Sequence, residues 1–140
     1  AQVALAAGEH RRHDHRAVPP RYPHRVIAVA PPRPALYATI DARVDAMLAA
    51  GLLDEVRALR AAGHAPPLRS QQAIGYAELH AHLDGRLDLS QATELMKRNS
   101  RRYARRQLSW YRGQAGVEWI ASIDEVDLAA LAAYLQGPLP

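Results

Sequence analysis

Apolar side chains recur along this chain in a pattern that predicts a row of helices. Leu36, Ile40, Val44, Met47 and Leu48 follow the three- and four-residue spacing of one helix face, and Pro34 suits a first helical turn. Gly51 breaks that run. Leu52, Leu53, Val56 and Leu59 continue it in a second helix, which Gly63 and the pair Pro66-Pro67 end. These leucines and their neighbours read as packing. Residues 77–83 predict a short third helix entered past Gly75, and Asp84-Gly85 a turn. Ser90 then suits an N-cap, and no Gly or Pro interrupts the chain before Gly113, so one helix of about 22 residues, roughly 33 Å long, is expected over residues 90–112. Near the C-terminus, Ser122-Ile123-Asp124-Glu125 has the form of a capping box and predicts a last helix through Leu135, closed by Gly137 and Pro138.

Two short apolar runs break the helical period. Residues 26–30, VIAVA, lie between Pro23 and Pro31, and suit a strand buried on both faces. Residues 117–120 offer a second strand. One strand cannot make a sheet, so most of the sheet is expected to lie outside this sequence. The domain reading is a single unit over residues 1–140: a helix end stopped by Gly8, a loop or linker over 8–25, a strand with helices over 26–112, and a short strand with a terminal helix over 113–140. His10, His13, Asp14 and His15 have metal-ligand types, but they sit among arginines ahead of Pro19-Pro20. They read as a surface loop, and no metal ligand is assigned.

Composition narrows the function classes. A chain of 140 residues suffices for one modest domain that buries roughly two-thirds of its unfolded surface. Without cysteine it has neither disulfides nor thiol chemistry, and no apolar run approaches the roughly 20 residues that span a bilayer. No Ser/His/Asp or Cys/His pattern supports a nucleophilic enzyme. The single lysine, Lys97, follows Met96, so the Gly-Lys of a Walker phosphate loop is absent. The chain starts at Ala1, not methionine, inside an alanine-rich run with no cap, so an incomplete chain is the expectation.

Charge alters the picture most in residues 90–112. Lys97, Arg98, Arg101, Arg102, Arg105, Arg106 and Arg112 contribute seven of the 18 basic side chains, and no acid occurs between Glu94 and Glu118. At 100° per residue Arg98, Arg101, Arg105 and Arg112 share one stripe, flanked by Arg102 and Arg106, while Met96, Tyr103, Trp110, Ala104 and Tyr111 take much of the other side. The apolar side is expected to pack on the domain and hold the arginines as a rigid positive rail. Like charges at i,i+4 repel, so the cluster is a poor device for solubility alone. Guanidinium forks match phosphate oxygens, which points to an anionic partner.

Four segments together resemble the tRNA dimethylallyltransferases, also called tRNA isopentenyltransferases. They are DARVDAMLAAGLLDEVRAL at 41–59, QAIGYAEL at 72–79, SRRYARRQLSWYR at 100–112 and VIAVAPPRPALY at 26–37. The third is the most specific: it is similar to the family signature Thr-Arg-x-Tyr-Ala-Lys/Arg-Arg-Gln-x-Thr-Trp-Phe-Arg, with Ser100 and Ser109 in place of threonines. The resemblance runs from about residue 1 to 121. It implies an α/β fold with a P-loop NTPase-like core and a helical insertion, of which this chain is a mostly helical part with one or two strands. It also implies transfer of a dimethylallyl group from dimethylallyl diphosphate to N6 of the adenosine 3′ of the anticodon. Position by position, it implies that Arg101 lies near the leaving diphosphate. Gln72, Gly75, Tyr76, Arg105, Arg106, Gln107, Trp110 and Arg112 fall in segments that face the tRNA anticodon stem-loop. Some relatives have arginine where this chain has Gln72 and Ala77. The phosphate loop, the Mg²⁺-holding hydroxyl and the catalytic aspartate are implied to lie outside this chain. A cytoplasmic enzyme, monomeric when complete and with no membrane partner, is the corresponding expectation. The alternative is a catalytically inactive, basic helical fragment that binds RNA.

Overall fold

The structure is a computed structural model and describes residues 24–136. The reading of residues 1–8 as a helix end and most of the 8–25 loop, with His10, His13 and His15, lie outside the described residues. Along the chain come β1 (Val26–Val29), α1 (Arg33–Ala49), α2 (Leu52–Ala61), a 3₁₀ turn (Arg69–Gln72), α3 (Tyr76–Leu83), α4 (Leu89–Arg112), β2 (Val117–Ile120), a second 3₁₀ turn (Ile123–Glu125) and α5 (Leu128–Gln136).

The two strands pair with each other in parallel, Val26 opposite Val117 and Val29 opposite Ile120. A parallel pair needs a crossover, and here α1 to α4 supply it. Burial on both faces does not hold among the described residues: Val29 is 44% and Trp119 37% exposed. Two strands with one helix against them have only one covered face. Ala104, Leu108 and Tyr111 of α4 share a shallow cavity with β1 on that side.

The core takes one buried side chain from each of the first four helices: Val44, Val56, Leu79 and Met96. Met47, Leu52, Tyr76 and Leu83 pack around them. Gly51 separates α1 from α2 with φ +99°, a left-handed conformation that glycine adopts without strain. An ion pair at 2.6 Å from Arg60 to Asp84 ties the end of α2 to the end of α3.

Capping differs from the expectation at both later helices. The cap of α4 is Asp88, not Ser90: Asp88 Oδ1 accepts from the Gln91 amide at 2.8 Å, and Gln91 Oε1 accepts from the Asp88 amide at 2.9 Å. This reciprocal pair satisfies two backbone donors at once, which places Ser90 within the first turn. The Ser122–Glu125 box does form, with Glu125 Oε1 accepting from the Ser122 amide at 3.0 Å, but it caps only the second 3₁₀ turn. Val126 is extended, and α5 starts at Leu128, where Asp127 accepts from the Ala130 amide at 2.9 Å.

His80, 1% exposed, lies within this core. Its Nε2 is 3.0 Å from Gln71 Oε1, and its Nδ1 is buried without a partner. A neutral ring with its proton on Nε2 donates to Gln71 and leaves Nδ1 a bare acceptor, which is less costly than an orphaned donor. Burial, reinforced by the nearby Arg60 and opposed by Asp84, holds the imidazole below its ordinary pKa. The unfolded chain therefore takes up this proton at a higher pH than the folded one. Stability is expected to fall as pH drops from about 7 to 5, because the unfolded state binds more protons across that window. Urea denaturation at the two pH values checks this: the midpoint falls at the lower pH, and falls less in His80→Leu.

Candidate nucleic-acid interface

The chemistry-bearing side chains gather on α4, a 24-residue helix, about 36 Å long. Helix α1 runs antiparallel along part of it and is fastened by two ionic rungs. Arg101 Nη1 reaches Asp41 Oδ1 at 2.5 Å and Oδ2 at 2.7 Å, and Lys97 Nζ reaches Asp45 Oδ1 at 2.7 Å. The rungs sit four residues apart on both helices, one turn of each. The hydrogen bond from Lys97 to Asp45 raises the ammonium pKa above its usual value, against the opposing effect of burial.

This corrects the picture of a rail with no neutralising acid nearby. The acids come from α1, some 60 positions earlier in the chain, and they neutralise two of the seven cations. Arg98, Arg102, Arg105, Arg106 and Arg112 have no acidic partner among the described residues. Two of them lie over aromatic rings: the Arg106 guanidinium is 5.6 Å from the Tyr103 ring centre, and that of Arg112 5.8 Å from Trp119.

The apolar side of α4 is only half covered. Ala92 and Met96 are fully buried, as the periodicity required. Tyr103, Trp110 and Tyr111, expected to be buried too, are 50%, 57% and 40% exposed. The cause is length. Helix α3 has eight residues, about 12 Å, and covers only the first half of α4. Beyond it the same stripe meets only the open depressions beside α1 and β1, which leave Tyr103, Trp110 and Tyr111 part-exposed.

Besides the cavity shared with β1, three more depressions flank α4 among the described residues. The largest, about 810 Å³, lies between α1, residues 73–74 and α4, with Ile40, Ile74, Tyr103 and Gln107 among its lining and Arg43 and Arg106 as its charges. A smaller one of about 220 Å³ gathers Arg33, Arg105 and Arg112 beside Tyr37 and Ser109. No acid lines either. The third, about 410 Å³, holds Arg98 and Arg101 with Gln91 and Glu94. Thus Arg106 and Gln107 share one groove, and Arg105 and Arg112 another. Arg101 belongs to the third, and Trp110 projects from the exposed part of the helix.

The QAIGY segment lies differently. Gln72 is exposed, and its amide donates to Pro67 O at 2.9 Å within its own loop. Gly75 is buried with φ +102°, and a Cβ there would meet Met96 Cε at 3.6 Å. Tyr76 packs against the core, and its hydroxyl hydrogen-bonds Glu55, which raises the phenol pKa. It is Ala73 and Ile74, not Gly75 and Tyr76, that line the large groove. The turn is held by Glu78, 5% exposed: its Oε2 accepts from the Gly75 amide and its Oε1 from Asn99 Nδ2, both at 2.7 Å. Sequence reasoning missed Glu78, Asp41, Arg33 and Arg43. Only Glu78 had a signal, a glutamate three residues after Gly75 at a helix start.

Chemically, this arrangement offers guanidinium groups to phosphates. Among the described residues it brings together no group of three or more His, Asp or Glu able to hold a metal ion. Nor is any helix among them long and apolar enough to cross a membrane.

Comparison with known proteins agrees with the geometry. The IPP transferase family model matches residues 2–114. A tRNA dimethylallyltransferase from Anaeromyxobacter sp. (strain K) is 49% identical over 120 residues, 86% of this chain and 38% of its own length. One from Geobacillus kaustophilus is 43% identical over 122 residues, 84% of this chain and 38% of its own. Among solved structures, the tRNA isopentenylpyrophosphate transferase of Bacillus halodurans superposes with a TM-score of 0.71 at 38% identity, covering 79% of this chain and 37% of the other. The chain therefore spans under two-fifths of the length of these relatives. With the signature helix, the strand pair and the family match in agreement, the chain belongs to the IPP transferase family.

Proposed function

We propose that this chain forms the C-terminal portion of a tRNA dimethylallyltransferase and supplies its diphosphate-facing and tRNA-facing arginines. The observation that carries the reading is the set of arginines on α4 that have no acidic partner among the described residues, in a chain of this family. The reaction joins N6 of an unpaired adenosine to C1 of dimethylallyl diphosphate, while the C1–O bond breaks and diphosphate departs. The adenosine has to leave its stack before its amine can approach carbon, so the protein must grip the RNA on both sides of the extruded base.

Arg105 and Arg112 with Arg33, and Arg106 with Arg43, give two cationic clefts along α4 that suit separate stretches of RNA backbone. Gln107 and Trp110 add an amide and an exposed ring between them. Gln72, on its loop, is within the same tRNA-facing assignment, whereas Gly75 and Tyr76 serve it by fixing where Ile74 sits. Arg101 faces the third depression and receives the charge that builds on the leaving diphosphate. The base that removes the N6 proton is assigned to the part of the protein beyond these residues, as is any Mg²⁺ ligand.

The test is direct. The complete protein, given dimethylallyl diphosphate and an anticodon stem-loop, is expected to add one five-carbon unit to the adenosine 3′ of the anticodon, read by mass spectrometry. A stem-loop with guanosine there gains none. Binding of the stem-loop without any transfer would support the alternative, an RNA-binding protein with no catalysis, and would end the transferase reading.

A further inference from the structure

We infer that Asp41 is the positioning residue for Arg101, setting the guanidinium so that its free edge meets the leaving diphosphate. The inference rests on the diphosphate role proposed for Arg101 and adds a residue to it. Arg101 Nη1 alone contacts both Asp41 oxygens, at 2.5 and 2.7 Å. Nη2 and Nε take no partner among the described residues, so the opposite edge of the fork is left for phosphate oxygens. The Arg101 side chain is 26% exposed, and the depression it lines is open to a ligand. A long side chain anchored at one nitrogen needs no reorganisation as charge develops, and pre-set donors act best for that reason.

The neighbouring rung supplies a control built into the fold. Asp45 makes an ion pair of the same kind one turn along, at 2.7 Å, but to Lys97, which lies outside that depression. Both rungs join α1 to α4. If Asp41 served only to fasten the helices, loss of either rung would act alike. If it aims Arg101, only its own loss slows the reaction.

The experiment compares Asp41→Asn, Asp45→Asn and Arg101→Ala in the complete transferase, with kcat, KM for dimethylallyl diphosphate, stem-loop affinity and thermal midpoint measured for each. Asp41→Asn is expected to lower kcat by about 10- to 100-fold, the scale of a misplaced catalytic group. Its stem-loop affinity should stay unchanged and its thermal midpoint should match that of Asp45→Asn, which keeps its kcat. Equal loss of kcat in the two asparagine variants would reduce Asp41 to a fastener and overturn the inference. If Asp41→Asn keeps its kcat while Arg101→Ala loses it, the positioning role fails alone and the diphosphate role of Arg101 stands. An undiminished kcat in Arg101→Ala removes both.

Discussion

Replacing Glu78 by alanine is expected to destabilise the fold by about 2–5 kcal/mol, because it leaves the buried Gly75 amide and the part-buried Asn99 amide without their acceptor. Glu78 is 5% exposed, and each carboxylate oxygen accepts one bond at 2.7 Å, from the Gly75 amide and from Asn99. Hydrogen bonds to a charged acceptor contribute about 1.5–3 kcal/mol each, and the buried Gly75 amide is cut off from water once the acceptor is gone, whereas Asn99 is only part-buried. Glu78→Gln separates this from loss of packing. Its carbonyl oxygen can still accept one of the two bonds while its NH₂ opposes the other donor, so the variant should lose roughly half as much in urea denaturation. Equal midpoints for wild type and alanine variant would show that the buried carboxylate contributes nothing. The effect reaches the interface as well: Gly75 follows Ile74, which lines the large groove opposite Arg106 and Gln107.

What the sequence revealed and what it hid follow from the range over which each signal acts. Breaks at Gly51 and Gly63 and the apolar repeat from Leu36 to Leu48 are local, and they located α1 and α2 correctly. The apolar run between Pro23 and Pro31, and the stretch over 90–112 without Gly or Pro, did the same for β1 and α4. A cap is local too, but Asp88 and Ser90 both lie at the start of the same helix, and only the reciprocal bonds with Gln91 decide between them. Tyr103 and Trp110 show a different limit. Periodicity assigns them to the face that buries Met96, yet whether that face is covered depends on where α3 stops. The Asp41–Arg101 pair is less legible still. Two charges 60 positions apart carry no spacing signal, and the rung exists only because α1 and α4 fold antiparallel. The tightest bonds of the candidate site were therefore its least visible part.

Removal of Arg101 is expected to slow turnover by about 10²- to 10³-fold, the usual loss when a pre-set donor for transition-state charge is deleted. In the proposed reaction diphosphate gains charge as the C1–O bond breaks, so an interaction that strengthens during departure acts on kcat more than on substrate affinity. Arg101→Ala should accordingly keep its stem-loop affinity, since Arg105, Arg106 and Arg112 lie in other depressions along α4. Arg101→Lys is the sharper variant. Arginine can bind Asp41 through Nη1 and still present Nη2 and Nε on its other edge, whereas lysine ends in a single ammonium without that division of labour. A lysine held by Asp41 would be drawn away from the phosphate, and a lysine on the phosphate would leave Asp41 unpaired. The lysine variant should therefore stay much closer to alanine than to wild type in kcat, although its formal charge is unchanged. Single-turnover kinetics with saturating stem-loop would read this directly. Full activity in Arg101→Lys would mean that charge alone suffices, and that the fork geometry fixed by α1 has no part in the chemistry.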